Sequence, residues 1–100
     1  MKTTDKSTCG TSFFHTTIST SISKLRQLLG DPTHDNNNGD DKVNVEWNCV
    51  NNEGNVCTIY DWKEYRIISE DEIIDFHIGG YSASDTELGK DELLIQLANM

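Results

Sequence analysis

The fold turns on one continuous run: VNVEWNCV (residues 43–50), NNEGN (51–55), VCTIYDWKEYR (56–66), IISEDE (67–72) and IIDFHIGG (73–80). From Lys42 to Val50 apolar and polar residues alternate. Val43, Val45, Trp47 and Cys49 share one face, and Asn44, Glu46 and Asn48 share the other. That period of two is the signature of a half-buried strand. Residues 51–55 have hairpin-loop chemistry, with Gly54 suited to a positive φ. The returning strand, Val56–Trp62, carries apolar groups on both faces, which predicts a central strand with a neighbour on each side. Lys63-Glu64-Tyr65-Arg66 extends or bends it, and Ser69–Glu72 makes a polar turn. Ile73–Ile78 forms the next strand, with Ile74, Phe76 and Ile78 inward, and Gly79-Gly80 closes it.

Before this run, SFFHTTIST (12–20) is rich in β-branched and aromatic residues and predicts a first strand. Phe14 and Ile18 fall on its core side, and His15 is a surface residue without partners. SISKLRQLL (21–29) predicts a helix. Ser21 can cap its first turn, Ile22, Leu25, Leu28 and Leu29 line one face, and Gly30 followed by Asp31-Pro32 stops it. Residues 31–41, rich in Asn and Asp, read as a mobile loop. They lack the ligand and glycine order of a calcium loop. After the run, Ser84–Glu87 has the S-x-x-E capping-box form, and a second helix follows to about Asn99. Gly89 weakens its first turns, so the helix is expected to begin nearer Lys90. The resulting order, β-α-β-β-β-α, predicts an α+β domain over residues 12–100. It comprises an antiparallel sheet of about four strands with two helices on one face, preceded by a flexible segment at residues 1–11.

The chain has 100 residues and a formal net charge of −9. Residues 1–30 carry +3, residues 31–77 carry −9 and residues 78–100 carry −3. An acidic chain repels phosphate backbones and anionic lipid, so no direct nucleic-acid or membrane contact is expected. No apolar run reaches membrane-spanning length, and no secretory leader is evident at residues 1–14. Cys9, Cys49 and Cys57 fit no zinc spacing, and Cys49 and Cys57 sit on the two arms of one hairpin as packed thiols. No metal or other cofactor is expected.

Aromatic and polar residues concentrate in two places, Tyr60–Arg66 and Phe76–Gly80. If those strands pair, Trp62, Tyr65, Arg66 and His77 meet at one end of the sheet, and Gly79 and Gly80 allow a close approach to the main chain. Such a set suits a planar ligand or a peptide. Asp61, Glu64, Glu70, Asp71, Glu72 and Asp75 form an alternative working surface, an acidic edge that occupies a basic protein by imitating a phosphate backbone. There is no nucleophile elbow and no ordered catalytic motif. Carboxylate pairs are expected by chance in so acidic a chain. A Cys57–His77 thiolate pair would stand among negative charges that raise a thiol pKa.

The pieces TTI (16–18), KLRQLLGDP (24–32), VEWNC (45–49), TIYDWKEYR (58–66) and FHIGG (76–80) together resemble a family of small, mostly uncharacterised proteins of tailed phages and other large DNA viruses. TIYDWK and HIGG are the most specific of them. The resemblance implies a viral setting, with the protein acting in the cytoplasm of a host cell. The expectation is a non-catalytic accessory protein, able to form a homo-oligomer, that sequesters a small ligand such as a signalling nucleotide as a counter-defence. The alternatives are an acidic protein that blocks a basic host protein, and a virion or assembly component.

Overall fold

A computed structural model describes residues 1–100. The elements in chain order are β1 (Lys2–Thr3), β2 (Ser12–Thr20), α1 (Ile22–Leu29), β3 (His34–Asp35), β4 (Val45–Val50), β5 (Val56–Tyr60), β6 (Ile74–Gly80) and α2 (Ala83–Ala98). They form an open antiparallel sheet of six strands in the order β1-β4-β5-β6-β2, with β3 also paired to β4. β5 is central, as its two apolar faces require. The α+β class holds, and the two additional strands are two-residue pieces on the outer edge of β4.

The core lies between one face of the sheet and the helices. Val45, Trp47 and Cys49 of β4, Cys57 and Ile59 of β5, and Ile74, Phe76 and Ile78 of β6 meet Ile18, Ile22, Leu25 and Leu93 there. Trp47 is fully buried and its indole N–H donates to the carbonyl of Gly30 at 2.9 Å, so its polar edge is satisfied at the end of α1. α1 has the caps its sequence demands. The Ser21 hydroxyl accepts from Lys24 N at 3.2 Å, and Gly30, at φ 86°, donates to the carbonyl of Arg26.

Four expectations are corrected. Residues 1–11, expected as a flexible segment outside the domain at 12–100, are joined to the sheet. Lys2 and Thr3 pair with Val50 and Cys49, Met1 is buried, and its amine lies 2.8 Å from Glu92 Oε1. The chain then crosses from the β4 edge to the β2 edge as a strap. The Tyr81 hydroxyl donates to the carbonyls of Ser7 and Cys9, and Lys6 Nζ donates to Gly54 O. Tyr81, Val50 and Val56 all alternate away from the helices, and the burial of both valines follows from the strap lying over that end of the sheet.

Phe14 is 38% exposed and lies outside the core. The β2–β6 register jumps between Phe13 and Thr16, and His15 sits at φ 66°, so two residues bulge out of the ladder.

The loop at residues 31–41 is tied into the fold. Asn37 exchanges two hydrogen bonds with the backbone of Ile68, at 2.8 and 2.9 Å, and Asn44 Nδ2 donates to Arg66 O at 3.0 Å. Asn37 of the loop and Asn44 just beyond it hold the segment that follows β5.

α2 starts at Ala83, seven residues before the Lys90 start expected from Gly89. Ser82 is the cap, accepting from Asp85 N at 3.2 Å, and Ser84 lies inside the first turn. Gly89 is buried mid-helix, where a Cβ would stand 3.0 Å from Cys57 Sγ. It is there because α2 presses against β5.

Candidate functional site

The helices cover one face of the sheet and the strap covers one end of the other, which leaves the far end of that second face open. Alternation along the strands puts Glu46, Tyr60, His77 and Thr17 in one cross-strand row on it, with His34 opposite Glu46. Rings fill the row. Phe13 stacks on His77 with centroids 4.0 Å apart, and His15 meets Phe13 edge-on at 5.2 Å. Tyr60 meets His77 at 5.5 Å and Trp62 at 6.2 Å, both edge-on, and Trp62 lies 6.1 Å from His77 at a shallow 29°. The five rings thus form one connected series, with His15 joined through Phe13 and Phe13 through His77, and Trp62 remains 40% exposed. Lys63 Nζ sits 5.6 Å from the Trp62 ring centroid.

The polar groups of this row are drawn towards their neutral forms. Partial burial lowers the pKa of His77, against the pull of Asp75. Partial burial raises that of Glu46, against the pull of His34, and raises that of Tyr60 with help from the charge on Glu46. A shared cause on three neighbouring groups marks a face that the rings have partly dried. It is a flat face. The three surface cavities lie elsewhere or at its border, and none is lined by the five rings. The largest, about 460 Å³, lies between Met1, Asn51, Asn52 and Gln96. A second, about 300 Å³, includes His34 and Glu46 at the margin of the row.

Of the residues singled out in the sequence, Trp62 and His77 come together and Arg66 goes elsewhere. Arg66 Nη1 donates to Glu72 Oε1 at 2.8 Å, and Nη2 lies 3.6 Å from Glu64. That pairing raises the pKa of Arg66 and lowers that of Glu72. Tyr65, at φ 50° and 54% exposed, is in ring contact with none of the five. The left-handed turns at Lys63 and Tyr65 carry the chain away from the sheet after Asp61. The two glycines do not expose the main chain. A Cβ on Gly79 would meet Thr58 Oγ1 at 2.6 Å, and one on Gly80 would meet Thr86 Cγ2 at 3.1 Å, so β5 and α2 already fill those spaces.

The acidic edge is also spent internally. Asp61 is fully buried and accepts from the main-chain N–H of Asn44 and of Val45 and from Asn44 Nδ2. Glu70 pairs with Arg26 at 3.0 Å, Asp71 accepts from Ser23 Oγ, Asp75 from Ser19 Oγ, and Glu64 and Glu72 hold Arg66. Cys57 and His77 lie on opposite faces of the sheet and never meet. Burial pushes the Cys49 thiol up to about 12 and the Cys57 thiol up to about 11.

Sequence reasoning missed Phe13, His15 and Tyr60 as members of the site. Phe13, Tyr60 and His77 share a face once the register is known, and alternation alone could have signalled that. The bulge that brings His15 in has no sequence mark. No helix is long and apolar enough to cross a membrane. Comparison with known proteins gives no match to any family model, to any curated protein or to any solved structure.

Proposed function

We propose that this chain is a non-catalytic binding protein whose working surface is the open sheet face of Phe13, His15, Tyr60, Trp62 and His77. The observation that carries the reading is the five-ring contact on a face the fold leaves uncovered. Exposed rings held edge-on and stacked offer π faces to a planar group, and a flat, partly dried surface loses little water on covering it. The occupant is a ring-bearing or otherwise planar ligand held by stacking; a small signalling nucleotide belongs to that class through its base. The resemblance to viral proteins supplies the setting, the cytoplasm of an infected cell.

The two tryptophans provide the test. Trp47 is fully buried and Trp62 is exposed, so a ligand on the open face changes emission from Trp62 alone. Titration with adenosine and with AMP is expected to shift that emission, and Trp62→Ala is expected to abolish the change while the fold persists. Emission unaltered by either compound, together with unchanged host-side function in Trp62→Ala, would refute the site.

A further inference from the structure

The ring face has a carboxylate built into it. Glu46 stands directly across from Tyr60 in the row that continues to His77. Its side chain is 24% exposed, reachable yet mostly out of water, and the nearest basic side chain, His34 through Nε2, is 3.8 Å away. That is beyond hydrogen-bond length, so the carboxylate oxygens keep their accepting capacity. The other acids along residues 61–75 are already matched by Arg26, Arg66, hydroxyls or main-chain donors. Glu46 is the acid on this surface left to recognise something else.

A ligand that uses both the rings and Glu46 must be flat, cationic and rich in donors. A neutral ring would stack and leave the carboxylate unanswered. A nucleotide would stack through its base alone, because Glu46 in a chain of net charge −9 gives its phosphate nothing to pair with. An ammonium would pair with the carboxylate but presents no plane to stack. A guanidinium does both, because it stacks on aromatic faces and donates in a fork that matches a carboxylate. The Trp62 ring already attracts a cation, since Lys63 Nζ lies over it at 5.6 Å.

We infer that the open face holds an arginine side chain of a basic partner protein, its guanidinium against the Tyr60 and Trp62 rings and paired with Glu46. The inference rests on the open face being the working surface and names what occupies it. Lys63 then acts as a resident competitor that an arriving arginine displaces.

The test is calorimetric titration of the whole chain with hexa-arginine and, separately, with hexa-lysine. The two peptides carry the same charge, so a diffuse acidic surface would bind them alike. Expected is a preference for hexa-arginine of about tenfold, lost in Glu46→Gln, and tighter hexa-arginine binding in Lys63→Met. Equal binding of the two peptides, or an unchanged preference in Glu46→Gln, would overturn the arginine assignment. Trp62→Ala separates the two levels. If it lowers peptide or AMP affinity while Glu46→Gln changes nothing, the ring face stands and the arginine does not. If Trp62→Ala changes neither, the ring face itself falls. Weaker AMP binding in Lys63→Met, with no arginine preference, would mean an anionic occupant and would likewise overturn the assignment.

Discussion

Asp61 shows how much one side chain can decide. A carboxylate at the end of a central strand looks available for catalysis or for a basic partner. The structure spends it on three hydrogen bonds to Asn44 and Val45, at 2.8, 2.9 and 3.1 Å, which fix where β4 begins. Asp61→Ala would leave two buried main-chain N–H groups without acceptors, and a loss of about 3 kcal/mol in urea unfolding is expected. His77 and Glu46 give the pH dependence. His77 has its folded-state pKa lowered by burial, so the unfolded chain binds its proton first. Its contribution to stability is whole above the ordinary histidine pKa and is lost as pH falls through the lowered one. Glu46 is shifted upward, so its contribution runs the other way: present below the ordinary glutamate pKa, and lost as pH rises through the raised one. Proton NMR titration is expected to place the His77 ring below an ordinary histidine, and its pKa should move back towards the ordinary value in Trp62→Ala as the ring regains water.

At the level of elements, the sequence is clearest where one local rule decides. β4 is legible because Val45, Trp47 and Cys49 alternate with polar residues over a full strand. α1 is legible because Ser21, its apolar face and Gly30 agree. α2 shows the limit. Both Ser82 and Ser84 are plausible caps, and the choice between them depends on where Gly80 lets the helix meet the sheet, with Thr86 packed against that glycine. Ser82→Ala is expected to cost about 1 kcal/mol, while Ser84→Ala, inside the helix, is expected to be nearly neutral. Thermal unfolding of the two variants decides the point. β1 and β3 could not be read at all. Two-residue strands carry no period, and they exist because β4 has an edge to cover, not because Lys2-Thr3 or His34-Asp35 favour extension. The candidate site was half legible for the same reason. Trp62 and His77 stood out by type, but Phe13 and His15 join them through a register and a bulge set by β6.

On the scale of the whole molecule, charge and edges are managed together. The outer edge of β4 is capped by β1 at one end and β3 at the other, with Thr33 Oγ1 accepting from Asn48 N between them. Exposed edges invite pairing with other chains, and this one is closed. A net charge of −9 keeps copies apart but also strains the compact state by self-repulsion. Added salt that screens this repulsion is therefore expected to raise Tm, most steeply at low ionic strength, even as it weakens the surface pairs of Arg26 and Arg66.

The strap has a consequence for the order of assembly. β2 has one partner, β6, and the strap that delivers β2 to it starts from an edge of β4. During synthesis, residues 12–20 therefore emerge long before any sheet exists to receive them, and they wait unpaired until Gly80 has been made. Threonine and serine, rather than valine and isoleucine, fill most of that strand. They keep an early-made, late-docked segment wettable through the wait, and the long separation of partners predicts folding on the slow side for a domain of this size.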